Sequence, residues 1–340
     1  MRPRVCPFDL PRAEARRLLS AGATVFLTIN PVEYHGPHLS LHNDAWVSRG
    51  LVSELADALG IEGTLLVGAD LEVGVDPCPG PGTRHTSLPT ASALVREACR
   101  AVVELGASRV VLMTFHGSPL HAAALYDGVQ ECERLGARAA APLHAAQAAL
   151  MALDVGERGS AGPLPAELEA FADAVEHVAD RSHARALLAN IPRDFHAGFV
   201  ETSLALHFAP DTVDPIYRSL PPCPPIAPNP ALDAASRTAE LLGRTELARE
   251  LRYAALGSGW YALRPFPGYT GEPALATAAA GAAIARHIVR FLADVVRPVL
   301  DTGSSAPRPP LGWLRPMTLG GRVRTVHVPL DAVMKVSPLR

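Results

Sequence analysis

The chain has 340 residues, with 31 Lys and Arg against 34 Asp and Glu and a formal net charge of −3. That balance, without any Lys/Arg cluster, excludes a general polyanion-binding surface, so no nucleic-acid partner is expected. The length suffices for one large domain or two with a substantial core, and the 48% hydrophobic content can fill it.

In chain order, the apolar run at 23–30 predicts a strand buried on both faces. It leads directly into "EYHGPHLSLHND" at 33–44, which packs one Glu, one Asp and three His into a short stretch. Asp44 opens a predicted helix whose apolar stripe is Val47, Leu51, Leu55 and Leu59, ending at Gly60. A strand-like 64–68 follows, then the Pro/Gly-rich loop "VDPCPGPGTRHTSLP" and a helix over 90–105. A third buried strand over 109–115 runs into His116, and "HAAALYDGVQECERLG" reads as an amphipathic helix with a Gly stop. Repeated strand–helix units predict a parallel sheet covered on both faces, an α/β fold with ligands at the carboxyl ends of its strands. Both "EYHGPH" and "TFHGS" sit at such ends.

Beyond these units, 153–190 reads as a charged helical insertion or cap over the sheet, and 191–208 turns polar and then helical. "PPCPPIAPNP" at 221–230 is a stiff Pro-rich connector. A helix over 274–296 is interrupted by Arg286, His287 and Arg290, so no stretch reaches the length of a membrane span. The tail from 301 is Pro/Gly-interrupted, with a short hairpin expected around "GRVRTVHVPL". Five scattered cysteines (Cys6, Cys78, Cys99, Cys132, Cys223) lack CxxC spacing and point to reduced thiols in a cytoplasmic protein.

Glu33 and His35 are two apart, so on an extended backbone they leave the same face. Asp44 stands at a helix start, where the backbone dipole favours a carboxylate. If the first and third strands are neighbours, Glu33, His35, Asp44 and His116 converge. Mixed carboxylate and imidazole ligation suits Zn, Mn or Fe, and the lack of thiolate favours a hydrolytic over a structural site. A carboxylate among several ligands can bridge two metals about 3.5–4 Å apart.

Those residues carry a resemblance. "EYHGPHLSLHND" resembles the E-x-H-G-x-H-L-P-x-x-x-D signature of the creatininase (creatinine amidohydrolase) family. "RVVLMTFHGS" resembles the strand ending in that family's N-G-H-G-G-N motif, and "GPGTRHTSLPTASAL" its P-G-T-x-S-L segment. "HAGFVETSLAL" is similar to its H-A-G-x-x-E-T-S, and "GEPALATAAAGAAI" to its G-D-P-x-x-A-T-x-x-x-G. The resemblance implies a three-layer α/β/α sandwich over residues 1–300 with a C-terminal extension at 301–340, usually assembled as a homo-oligomer. It also implies a centre of two divalent ions, zinc first and manganese or iron as alternatives, acting on a small-molecule substrate. Carried over residue by residue, Glu33 and His116 bind one ion, His35 the other, and Asp44 bridges. Glu201 adds a carboxylate at or beside the second ion, and His196 is the proton-transfer histidine.

Departures limit the substrate. The N-G-H-G-G-N motif is here Thr114-Phe115-His116-Gly117-Ser118-Pro119, without either asparagine, and Ser118 stands where creatininase proper has a metal-binding Glu. Phe199 replaces a polar pocket residue of "HAG", and Tyr34 stands where Gln is common. The expectation is hydrolysis of a C–N bond in a small cyclic or formyl amide or a peptide-derived compound with an apolar flank, not creatinine. The alternatives are ring-opening or C–C hydrolysis of a sugar-like ketone, or a catalytically silent relative. Phe199 is expected to add an apolar pocket wall, and 153–190 and 221–230 to wall or lid the entrance. Trp260 and Tyr261 are read as packing residues, and His121 and His144 as residues without a role in the site.

Overall fold

Seven consecutive residues of the first buried run, Thr24–Asn30, are solvent-inaccessible on both faces, as a central strand of a doubly covered sheet requires. The structure is a computed structural model and describes residues 3–153, 164–324 and 327–335. Five parallel strands, β1 (Arg4–Val5), β2 (Thr24–Asn30), β3 (Leu65–Glu72), β4 (Arg109–Met113) and β5 (Arg138–Ala140), lie in the order β1-β3-β2-β4-β5. β2 is therefore flanked by β3 and β4, which brings the loop after β4 beside the loop after β2.

The helices in the first half are α1 (Arg12–Ser20), α2 (Asn43–Ala58), α3 (Leu88–Leu105), α4 (Pro119–Arg134) and α5 (Leu143–Leu153). Then come the single turn α6 (Ala166–Glu169), α7 (Arg181–Asn190), α8 (Phe199–Phe208), α9 (Pro230–Leu241), α10 (Thr245–Tyr261), α11 (Ala278–Arg297) and the single turn α12 (Leu314–Met317). α3 packs on α4 and α1 to form one layer, while α11 packs on α8 and α2 to form the other, with the main core between them. The result is the expected three-layer α/β/α sandwich. Among the described residues no helix is long and apolar enough to cross a membrane.

Several expectations need correction. β3 extends to Glu72 rather than 68, and the two short edge strands β1 and β5 have no counterpart in the pattern reading. Of the 153–190 segment, 154–163 lie outside the described residues. Residues 172–175 of the rest pack against α11, with Asp173 accepting from Arg286 at 2.8 Å and pairing with His287 at 3.2 Å, and none of the described part lines the cavity that holds His116 and His196. The connector has no regular structure until α9 begins at Pro230. The described part of "GRVRTVHVPL" forms no strand; the tail instead pairs at Val333 with Phe266.

Candidate metal centre

The site forms where β2 runs out. Asn30, the last residue of β2, accepts on Oδ1 from Ser48 Oγ of α2 (2.8 Å) and from the Phe115 amide (3.0 Å). One side-chain oxygen thus ties together the strand that leads to Glu33, the helix that carries Asp44 and the loop that carries His116. The Pro/Gly loop after β3 clamps the same region. Thr83 Oγ1 accepts from the Tyr34 amide (2.9 Å) and donates to the Cys78 carbonyl (2.8 Å). Gly80 lies so close that a Cβ there would sit 2.2 Å from the Tyr34 ring.

Glu33, His35, Asp44, His116, His196 and Glu201 are all brought together, each at most 7% exposed. His35 Nε2 lies 3.2 Å from Asp44 Oδ1 and 3.6 Å from Glu201 Oε2. His116 Nδ1 lies 2.8 Å from Glu33 Oε2 and 3.8 Å from Asp44 Oδ2. Asp44 therefore straddles the cluster, with one carboxylate oxygen toward each imidazole. The outer nitrogens are pinned by backbone carbonyls: His35 Nδ1 to Glu33 O and His116 Nε2 to Val75 O, both at 3.0 Å. An imidazole whose outer N–H is donated to a carbonyl presents a bare lone pair inward, the tautomer a metal ligand needs.

Electrostatics show how strongly the pocket draws positive charge there: the inward nitrogens hold protons that a bound cation would displace. Burial opposes protonation of His35 and His116, but the carboxylates outweigh it. Asp44, Glu201 and Glu33 lift His35 to about 10, and Glu33 and Asp44 lift His116 to about 9. Burial works to raise Glu33 too, yet His116, His35 and the Cys78 amide hold it at about 2. Glu201 goes the other way: burial, with Asp44 and Glu33 nearby, pushes it up to about 8. Three buried carboxylates this close demand positive charge. Among the described residues the buried oxygen Asp44 Oδ2 has no hydrogen-bond partner, and Glu33 Oε2 faces the inward nitrogen of His116. A buried carboxylate oxygen without a partner beside inward-facing imidazole nitrogens is what hard or borderline divalent cations fill, so the donor set fits.

His196 stacks on His35, ring centroids 4.5 Å apart, and its Nε2 donates to the Tyr34 carbonyl (2.9 Å). Its Nδ1 faces Glu33 Oε1 at 4.0 Å, and burial, then His35, holds this imidazole well below its ordinary range. The "HAG" segment is shaped for this placement. Ala197 takes φ 47°, a left-handed conformation that costs a non-glycine residue about 1–2 kcal/mol, and its amide donates to Glu201 Oε2 (2.8 Å). A Cβ on Gly198 would strike Asp194 Oδ1 at 1.6 Å.

Of the six, Glu33, His116 and His196 line a cavity of about 600 Å³, whose far wall includes Tyr253, Tyr261 and Trp313. Ser118 and Pro119 line it, but Phe199 does not: it is fully buried in the main core. The expectation of a Phe199 wall is thus corrected, and neither 221–230 nor the described part of 153–190 lines the cavity. Trp260 both packs, donating from Nε1 to the Tyr269 carbonyl (3.0 Å), and faces the cavity 5.2 Å from the His196 ring. His38 is buried beneath the site with Nε2 2.8 Å from Thr202 Oγ1, while His42 sits outside against Glu72.

Sequence reasoning missed two residues. Asn30 reads as an ordinary strand end, and Cys78 carries no CxxC signal. Cys78 adds a buried thiol beside the centre, its Sγ within 4.8 Å of ligand-capable atoms on Glu33 and His196.

A family model described as creatininase, creatinine amidohydrolase, matches residues 9–296. Among solved structures, the chain is similar to a creatininase with Mn (TM-score 0.52, 18% identity, covering 88% of this chain and 99% of the other). It is also similar to a mutant creatininase complexed with creatine (0.53, 18%, 88% and 99%), and to a mutant creatininase of Zn-Zn type (0.53, 18%, 86% and 97%). No curated protein matches the chain. With the family model spanning most of its length and the sandwich shared with these structures, the chain belongs to the creatininase family.

Proposed function

We propose that the protein is a metal-dependent amidohydrolase cleaving a C–N bond in a small cyclic or formyl amide or a peptide-derived compound with an apolar flank. The observation that carries this reading is the buried set of three carboxylates around two imidazoles whose lone pairs point inward. In this assignment Glu33 and His116 would hold one divalent ion and His35 and Glu201 the other, with Asp44 a ligand shared between them. When bound, such ions supply Lewis acidity toward a scissile carbonyl and toward water. The chain's own residues do the rest. His196 keeps its Nε2 proton on the Tyr34 carbonyl, so Nδ1 is free to take a proton beside Glu33 and to return it to the leaving nitrogen. Trp260 packs beside its ring and is itself backed by Phe195, which holds the imidazole in place. Creatinine suits this cavity poorly, because Ser118 and Pro119 supply fewer polar partners at the rim than a small heteroatom-rich ring requires.

The test pairs two variants, measuring metal content and turnover over a panel of lactams, formamides, short peptides and creatinine. Asp44→Ala is expected to lose both ions. His196→Ala is expected to keep them and lose about 10²–10⁴ in kcat, the usual weight of a positioned proton carrier. A His196→Ala protein emptied of metal, or an Asp44→Ala protein that keeps two ions, overturns the assignment. Creatinine turned over as well as any apolar-flanked amide overturns the substrate reading.

A further inference from the structure

The family match stops at residue 296, yet one wall of the cavity comes from beyond it. Residues 311–317, which include the single turn α12, run across the mouth, where Leu311, Trp313, Leu314 and Met317 face the same space as His116 and His196. This stretch is held from two sides. Both oxygens of the α10 residue Glu250 grip it, one accepting from the Leu311 amide (2.7 Å) and the other from Trp313 Nε1 (2.8 Å). Arg315 then forks onto Asp127 of α4 at 2.8 and 3.0 Å, and that carboxylate is 2% exposed. A bidentate pair on a buried carboxylate is a strong and directional anchor. Leu311 itself takes φ 55°, an unfavourable conformation for leucine that the anchors on either side impose.

Trp313 has no structural explanation of its own. Its indole N–H is fixed by Glu250, but its ring belongs to none of the hydrophobic clusters formed by the described residues. A large apolar surface held in place beside a cavity, and not used for packing, is a recognition surface. With Tyr253, Tyr261 and Ala254 of α10, these residues give the cavity rings and aliphatic groups, in the same lining as Glu33, His116 and His196.

We propose that residues 311–317 and α10 form an apolar subsite beside the metal centre that takes an aromatic or bulky aliphatic group flanking the scissile amide, with Trp313 its specificity-determining residue. This rests on the reading of the centre as a divalent-metal site, and the probes are chosen to separate the two. Acetohydroxamate chelates metal but is too short to reach the wall; phenylacetohydroxamate adds a benzyl group that does reach it.

Calorimetry on the metal-loaded protein is expected to show phenylacetohydroxamate binding at least about tenfold tighter, the size of discrimination an apolar pocket gives. Trp313→Ala is expected to bring the ratio to within about twofold. Glu250→Gln keeps the ring but weakens its anchor, and an intermediate ratio is expected. If Trp313→Ala does not fold, Glu250→Gln decides alone. Acetohydroxamate binding with an equal ratio in the unmodified protein, or a ratio that neither variant moves, overturns the subsite alone. Absence of any acetohydroxamate binding overturns the metal-centre reading beneath it.

Discussion

Replacing Gly281 by alanine tests how the second helix layer holds the centre. Gly281 stands in α11, where it faces α8, the helix that carries Glu201. A Cβ at this position would lie 1.9 Å from the Ser203 carbonyl oxygen and 2.9 Å from His207 Cβ. Since Cβ atoms do not approach such an oxygen closer than 3.0 Å, the two helices must part by about 1.1 Å (3.0 − 1.9) at this point. Two effects then compete. Alanine is the better helix former by about 0.8–1.0 kcal/mol, whereas overpacking against an unyielding neighbour costs about 1–3 kcal/mol or more. Here the neighbour is backbone, so the upper part of that range applies and a net loss of about 1–2 kcal/mol is expected. At about 2.1 cal/mol/K of unfolding entropy per residue, Tm of this 340-residue chain should fall by about 1.4 °C per kcal/mol. The same displacement shifts α8 and with it Glu201, which lies 3.6 Å from His35, and a shift of about 1 Å can cost 10²-fold in turnover. The control is Gly257→Ala in α10, where a new Cβ meets nothing within 4 Å, so the helix-forming gain should appear unopposed. Differential scanning calorimetry with metal analysis checks both variants. An unchanged Tm and full metal content in Gly281→Ala would falsify the close-packing account of this glycine.

Two further outcomes follow from buried polar groups. His144 is buried with neither ring nitrogen paired, and burial alone pushes it down to about 3. Its folded pKa is depressed, so its contribution is fully present above the unfolded value near 6.5 and is lost as pH falls from there toward 3. His144→Leu should therefore make the acid side of the stability–pH curve shallower by about one proton, and parallel curves for the two proteins would refute this. Thr277 caps α11 by accepting from the Ala280 amide at 3.0 Å, so Thr277→Ala should cost about 1 kcal/mol in chemical denaturation; a loss under about 0.3 kcal/mol would count against the cap.

Legibility in the sequence followed burial. β2 and β4 were readable because a strand covered on both faces must be apolar throughout, and 24–30 and 109–113 are nearly so. β1 and β5 have two and three residues at the sheet edges, too few to establish a period. α10 escaped notice because its sequence, TELARELRYAALGSGWY, mixes glycines and charges, and its aromatic residues are shared between the cavity and a small cluster away from the main core. Glu33, His35, Asp44 and His116 were legible because they follow two apolar strands and open a helix, whereas His196 and Glu201 entered only through the family resemblance. Cys78 and Asn30 were not legible, since a thiol between prolines and an amide at a strand end acquire meaning only through residues 45 and 84 positions away: Cys78 through Glu33, and Asn30 through Thr114.

The motifs divide by the work they do, and so do the departures from them. Three segments carry the polar groups of the centre, while the P-G-T turn and the A-T-x-x-x-G helix start carry none. Gly80, Thr83, Thr277 and Gly281 instead set the distances at which the others meet, through close approach or a single hydroxyl. Among the departures, Ser118 and Pro119 face the cavity and change what it can bind. Phe199 looked from the sequence like a third such change, but it is fully buried in the main core, so its apolarity is bound to packing rather than to substrate. The apolar character of the cavity must then come from elsewhere: from Leu120, Phe195 and Leu232, from α10 and from the stretch beyond residue 296. On this division the family segments set the centre's chemistry, and the appended chain, which lies outside every motif, sets which flanking group can stand beside it.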